Sequence, residues 1–384
     1  MDYQQLFDTY KENNLQGRYI HNGHIEPLLS QYKSHFKISV LGKSSLDRPI
    51  YNIVAGNGKT KVFIWSQMHG NESTTTKAIF DFLNFLKSID PVAKAFLEGF
   101  TFSIIPVLNP DGAFAYTREN ANGIDLNRDS VQLSQSESRI LREVFEAFQP
   151  DYCYNMHDQR TIFGVGEDNP KSATVSFLAP SYNEEREINE NRQKAINVIA
   201  AMNATLQKFI PGQVGRFDDS FNINCIGDMF QSLGVPTILF EAGHYPSDYL
   251  REVTRKYVFF ALLSGFHAIN ENVIVVNKKS EYFNIPQNKI IFYDIIYKNV
   301  KINYENKEKI TNFASQYKEV LFENSVIFRA FISEIGNLDN YKGHVEYDCN
   351  EGVFKHIDGS KTPEKGKIAD FTIDVTQFKN GIKI

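Results

Sequence analysis

The sequence predicts an α/β core followed by a smaller β-rich region, and three features carry that prediction. Short apolar runs at 62–65 (VFIW), 100–108 (FTFSIIPVL) and 235–240 (VPTILF) have the length and bulk of strands buried on both faces. Segments with apolar residues at helical spacing lie between them, the order expected when strands are joined by crossover helices. Beyond about residue 272 Lys, Asn and Tyr become more frequent, helical spacing nearly vanishes, and the alternation of VKINY at 300–304 takes over. At 384 residues the chain exceeds one ordinary core of about 100–200 residues. The predicted division is a helical flank over 1–35, a core domain over 36–271 and a β-rich domain over 272–384.

The elements follow in order. Helical signals occupy 3–10 and 25–35. FKISVL at 36–41 reads as a strand, the polar stretch 42–49 as a turn and 50–54 as a second strand, together a hairpin. The run at 62–65 leads through QMHGNE into a helix whose apolar face is Ala78, Ile79, Phe82, Leu83, Phe85 and Leu86, with Asn71, Ser73 and Thr74 as N-cap types. The strand at 100–108 runs into Asn109-Pro110-Asp111-Gly112, a turn signal, and an irregular polar segment over 113–129. A helix over 136–148 shares Ile140, Leu141, Val144, Phe145 and Phe148 on one face. DYCYNM at 151–156 is a strand delivering His157, and 158–186 reads as a long loop over the site. Helices over 187–209, 229–233 and 250–270 and the strand at 235–240, which delivers Glu241, complete the core.

Composition excludes several classes. With 42% apolar and 23% charged residues the chain is ordinary for a globular protein. A net charge of −5 without a basic block argues against nucleic acid or an anionic membrane as partner. The first residues form neither a basic nor an apolar leader, and no 18-residue apolar run occurs, so a cytoplasmic location is expected. Cys153, Cys225 and Cys349 are far apart with no C-x-x-C, which fits neither a disulfide framework nor a thiolate metal site.

Chemistry concentrates where strands end. His69 and Glu72 sit on a strand-to-helix turn at the carboxyl edge of the sheet, where open α/β sheets build their sites. His157 ends another strand. Two imidazoles and one carboxylate supply three corners of a tetrahedron and leave the fourth open, the pattern of a catalytic zinc site. Glu241, exposed after a fully apolar strand, is the candidate general base. In GIDLNRD at 123–129, the planar fork of Arg128 with the amide of Asn127 suits a carboxylate, and Asp125 can accept the free N–H of a metal-bound histidine. Arg118 can supply positive charge to a developing oxyanion. His344 and His356 read as surface or packing residues.

H-G-N-E at 69–72, N-P-D-G at 109–112, G-x-D-x-N-R at 123–128 and the strand-end His157 and Glu241 form an ordered set. With G-K-S-S-x-x-R-P-I at 42–50, this set resembles the zinc carboxypeptidases of the carboxypeptidase A-like type, in a non-digestive, bacterial form, over about residues 35–270. The resemblance implies an αβα sandwich around a mixed, twisted sheet of about eight strands. It implies one zinc ion on His69, Glu72 and His157, Glu241 as base, Asn127 and Arg128 as carboxylate clamp, Asp125 behind a ligand and Arg118 at the oxyanion. The substrate it implies is a peptide or amino-acid amide, with a side-chain pocket built from about 222–228, where Asp228, with Asp218 and Asp219 nearby, could favour a cationic group. Two departures stand out: no counterpart of the family's mobile tyrosine in 216–221, and no leader or propeptide. An N-acyl amino acid amidohydrolase of the aspartoacylase or desuccinylase type and a murein-peptide amidase share the scaffold and stay open. So does a binding protein that only captures a peptide terminus, although such a protein has no need of Glu241.

Overall fold

The structure, a computed structural model, describes residues 1–271, 277–304 and 307–384. It divides into two compact units, one made of Met1–Gln159 and Val165–Asn288, the other of Arg160–Gly164 and Lys289–Ile384. The predicted boundary at residue 272 lies outside the described residues.

The first unit is built on one sheet. Its strands are β1 (Lys37–Lys43), β2 (Pro49–Ala55), β3 (Thr60–Ser66), β4 (Phe100–Ile105), β5 (Tyr152–Asp158), β6 (Val175–Leu178), β7 (Val214–Arg216) and β8 (Thr237–Ala242). They lie in the order β1-β2-β4-β3-β5-β8-β6-β7. β4, β3, β5 and β8 are mutually parallel, whereas β1–β2, β2–β4 and β8–β6 pair antiparallel, so the sheet is mixed. Strand alternation explains why both faces are covered. Val62 and Ile64 of β3 pack into one core with the helices α3 (Thr74–Leu86), α7 (Glu190–Leu206) and α9 (Glu252–Asn270). Phe63 and Trp65 point the other way, into a second core with α6 (Ser136–Phe148) and α8 (Ile226–Ser232). The result is the αβα sandwich, with polar side chains collected where β3, β5 and β8 end.

Several expectations change in detail. β5 and β8 each run on far enough to contain His157 and Glu241 rather than stop before them. The segment 158–186 is not one loop, because Val175–Leu178 forms β6, paired with β8. Four residues, VSFL, are too few for a period to register in the sequence. The Asn109-Pro110-Asp111-Gly112 turn opens a helix, Pro110–Ala115, capped by the Asn109 side chain accepting from Gly112 N at 2.8 Å. Ser73 takes the N-cap position of α3 but makes no capping bond; its hydroxyl donates instead to Arg18 O at 2.6 Å.

The flank over 1–35 contains α1 (Tyr3–Tyr10) and α2 (Asn22–Tyr32), and buried charge fastens it. Arg255 of α9 is fully buried. It donates to Asp81 of α3 at 2.7 and 2.5 Å and to the carbonyls of Leu15 and Glu12 at 2.6 and 2.8 Å. Lys77, also fully buried, donates to Glu252, Gly17 O and Leu250 O.

The second unit is β-rich. Phe292–Tyr304, Lys307–Phe322, Ser325–Gly336 and Lys342–Asp348 form a four-stranded sheet, and four short strands from Phe354 onward form another. Tyr297, Phe313, Phe354, Phe371 and Phe378 share its core. His344 stacks on Phe292 and bonds Thr161 O, and His356 bonds Ile368 O, which gives both a packing role. Among the described residues no helix is long and apolar enough to cross a membrane.

Asp81→Ala strands the Arg255 guanidinium in the interior. The expected outcome is a loss of about 3–5 kcal/mol in unfolding free energy, read by urea denaturation; a loss under about 1 kcal/mol removes the pair from the account.

Candidate metal centre

The loop after β3 is braced before it carries any ligand. Gln67 is fully buried in the left-handed region (φ 45°). Its amide donates to Ile20 O and Gly70 O at 2.9 and 2.8 Å and accepts from the Thr76 hydroxyl at 2.9 Å. Gly70 has to be glycine, because a Cβ there would sit 1.9 Å from the carbonyl carbon of Gly112. The H-G-N-E and N-P-D-G motifs are therefore one contact. Asp111, in turn, accepts from Ser44 at 2.9 Å, Leu46 N at 3.0 Å and Arg48 at 2.7 Å, so the β1–β2 turn closes on the same point.

His69, Glu72 and His157 converge, with one donor atom from each lying within 4.8 Å of the others. His69 Nδ1 is 2.9 Å from Glu72 Oε1 and 3.2 Å from His157 Nδ1, and His157 Nδ1 is 2.9 Å from Glu72 Oε2. On its other side His69 places Nε2 3.0 Å from Asp125 Oδ1. Carboxylates face both His69 nitrogens, and the tautomer protonated on Nε2 donates to Asp125 and keeps an Nδ1 lone pair for a metal. Two imidazole nitrogens and a carboxylate facing one another across about 3 Å fit a divalent cation better than they fit each other. The arrangement can hold a metal through two Nδ1 atoms and Glu72, with Asp125 orienting His69.

The surrounding charges divide two glutamates sharply. Burial opposes ionisation of Glu72, but the neighbouring His69 and the hydrogen bond from His157 outweigh it and hold its carboxyl well below the usual range. Asp125 is held low in the same way by His69 and Arg118 against the cost of burial. Burial lowers the His157 pKa. For His69, burial is outweighed by Glu72 and Asp125, and its pKa rises. Glu241 goes the other way: burial first, then the charges of Glu72 and Asp158, push its carboxyl well above the usual range. It is the parallel-register partner of His157, one strand spacing of about 4.8 Å away, and its Oε2 is buried with no hydrogen-bond partner.

The remaining residues are placed less uniformly. Arg118, partly exposed, reaches Asp125 with Nε and Nη2 and comes within 3.3 Å of Glu72, on the rim of the cluster. Asn127 and Arg128 lie on the 3-10 turn Leu126–Arg128. Asn127 Oδ1 accepts from Ile226 N at the start of α8, which leaves its NH₂ end as the donor. Arg128 is exposed and bonds its neighbour's carbonyl and Cys225 Sγ. Asp218 and Asp219 are engaged by Arg186 and Arg192, whereas Asp228 is buried on α8. Sequence reasoning missed Asp158. Its N–H donates to Glu72 at 3.1 Å, and its carboxylate accepts from Thr74 N and Oγ1 at the start of α3. Only the continuation of β5 through His157, written in the run MHD, could have signalled it.

Residues 22–203 match the family model described as zinc carboxypeptidase. Carboxypeptidase 2 of Trichophyton tonsurans is 30% identical over 137 residues, 35% of this chain and 24% of that protein. Cytosolic carboxypeptidase 4 of Mus musculus is 46% identical over 66 residues, 17% of this chain and 6% of that protein. The chain thus spans less than a quarter of these relatives' own length. A metallo-carboxypeptidase from Burkholderia cenocepacia has a similar fold, with TM-score 0.52 and 19% identity over 65% of this chain and 68% of that one. Bovine thrombin-activatable fibrinolysis inhibitor, solved with tick carboxypeptidase inhibitor, gives TM-score 0.53 and 15% identity over 69% and 99% of the two chains.

The cluster geometry sets a graded expectation for metal content. Purified protein should bind zinc, His69→Ala should retain less than about a tenth of it, and Asp125→Asn should weaken affinity by about 10–100-fold. Elemental analysis and chelator competition measure both. Full zinc content in His69→Ala removes the cluster as the binding site.

Proposed function

We propose that the chain, whose residues 22–203 match the zinc carboxypeptidase family model, is a zinc-dependent metallocarboxypeptidase that hydrolyses the C-terminal amide bond of peptides. The observation that carries the reading is the convergence of His69 Nδ1, His157 Nδ1 and the Glu72 carboxylate beside a partnerless, buried Glu241 carboxyl. A zinc ion held there, when bound, supplies a Lewis acid and an acidified water.

The chain's own residues do the rest. Glu241 Oε2 has no competing hydrogen bond, so it is free to take a proton from the attacking water and return it to the leaving amine. Its ionised form would be favoured where His69, Glu72 and His157 held a dication, which would offset the repulsion from Glu72 and Asp158. Arg118 brings a guanidinium to the rim, where charge develops on the carbonyl oxygen. Arg128, with the NH₂ of Asn127, pairs the substrate's terminal carboxylate and turns the scissile bond toward the cluster. Asp158 holds Glu72 through its backbone N–H and so keeps a ligand in place.

Specificity in this reading rests on Asp228. Burial pushes its carboxyl up to about 7, so it is mostly neutral below that pH and mostly charged above it. The preference for a C-terminal Lys over Phe should therefore grow from pH 6 to pH 8. The ratio of kcat/KM values for the two substrates cancels titrations they share. A fixed preference for Phe or Leu at both pH values excludes an acidic pocket.

Recognition of the free carboxylate is tested by wild type and Arg128→Ala against peptides ending in acid or amide, with an N-acyl amino acid as third substrate. Charge-assisted bonds contribute about 1.5–3 kcal/mol. Wild type should lose about 10–100-fold in kcat/KM on the amide, and Arg128→Ala should lose a similar factor on the acid but little on the amide. Glu241→Gln should abolish turnover by at least about 10²-fold while retaining zinc. Faster cleavage of the N-acyl amino acid than of either peptide moves the assignment to an amidohydrolase.

A further inference from the structure

The unit formed by Arg160–Gly164 and Lys289–Ile384 contains a groove of about 520 Å³ that the proposed reaction does not use. Its walls are aromatic. Tyr293 and Tyr341 line it with ring centroids 5.1 Å apart, and Phe331 lies beneath the Lys318 amine, 4.6 Å from its ring centroid. Its charged lining is of one sign: Arg160, Lys318 and Lys365, and among the described residues no acid. Glu334 holds Lys365 at 2.6 Å, whereas Arg160 and Lys318 have no ion-pair partner among the described residues. A chain with net charge −5 thus places two unpaired cations beside half-buried rings.

A polar group adds direction. The Gln316 amide nitrogen donates to the Thr161 hydroxyl at 2.8 Å and to the Asp294 carboxylate. Because a carboxylate only accepts, the amide cannot be turned round, and Oε1 is its acceptor end. That Oε1 is buried with no hydrogen-bond partner, and Gln316 lines the groove. The Gln316 side chain is therefore fixed in the groove wall by Thr161 and Asp294.

We propose that this groove binds an acidic peptide segment. Its carboxylates meet Arg160 and Lys318, and an apolar or aromatic side chain packs against the outer faces of Tyr293 and Tyr341. The aliphatic lining, Ile162, Ile290 and Ile332, suits peptide side chains better than the hydroxylated edges of an acidic sugar.

The test is fluorescence anisotropy with the full chain. The probe is a fluorescein-labelled ten-residue peptide alternating Glu with Phe and Leu and ending in an amide. The same peptide with Gln for Glu and a labelled oligoglucuronate are the comparisons. The acidic peptide should bind at least tenfold more tightly than the Gln peptide and weaken severalfold between 50 and 300 mM salt. Arg160→Glu with Lys318→Glu should lose at least tenfold, whereas Lys355→Glu, an exposed site of the same unit outside the groove, should stay within twofold. If the double reversal is unfolded by circular dichroism, Lys318→Gln alone should lose about threefold. Equal binding of the two peptides, or unchanged binding in the groove variants, overturns the proposal. Preferential capture of the oligoglucuronate overturns it too, and gives the groove to carbohydrate.

Discussion

A guanidinium can be hidden only where every N–H it carries finds an acceptor, and Arg255 meets that demand by drawing three separated pieces of chain to one point. Asp81 comes from α3, Arg255 itself from α9, and the carbonyls of Glu12 and Leu15 from the N-terminal flank. Once that contact is made, α3 has one position against the sheet. Its first turn follows the loop that holds Glu72, so a charge pair deep in the helical layer sets where a carboxylate meets two histidines. Lys77, four residues before Asp81, repeats the device with Glu252 and two carbonyls. The flank at 1–35 is accordingly part of the first unit's interior, and truncating it would expose both cations.

The site itself shows one residue type driven to opposite behaviour by its surroundings. Glu72 belongs to the candidate metal cluster, and Glu241 lies next to it with its Oε2 buried. Glu72 faces His69 and His157 and stays ionised, as a ligand must; Glu241 faces Glu72 and Asp158 and tends toward the neutral form. Pushing two acids apart in this way is what the proposed division into a metal-binding and a proton-transfer carboxyl requires, without changing the side chain. The parallel register of β5 and β8 keeps them near yet distinct, because the pairing of His157 with Glu241 is made by backbone and not by the side chains themselves.

Much of this was legible because the chemistry sits at strand ends. Apolar runs marked β3, β4 and β8, and the polar residues that follow them marked His69 and Glu241. The eight-stranded mixed sheet and its helical layers follow from the same runs and the family resemblance. What stayed hidden depends on distance in sequence. β6 and β7 are too short to show a period, and their pairing partners are far along the chain. The brace of Gln67, the contact of Gly70 with Gly112, and the hold of Asp158 on Glu72 are tertiary facts with no local pattern. Asp218 and Asp219 read as pocket acids for the converse reason, since composition cannot say that Arg186 and Arg192 already engage them.

The bracing of the 69–72 loop also bears on when the metal arrives. Gln67 ties it to Ile20 and Gly70, Asn109 bonds Met68 O, and Gly70 lies against Gly112, all without any ligand. The cost of ordering those residues is met by the fold itself, so loading resembles filling a rigid socket more than driving a disordered segment to fold. A preformed set of two nitrogens and a carboxylate would rank the first-row ions by their intrinsic affinities, so the supply of metals around the protein would weigh in which one such a socket held.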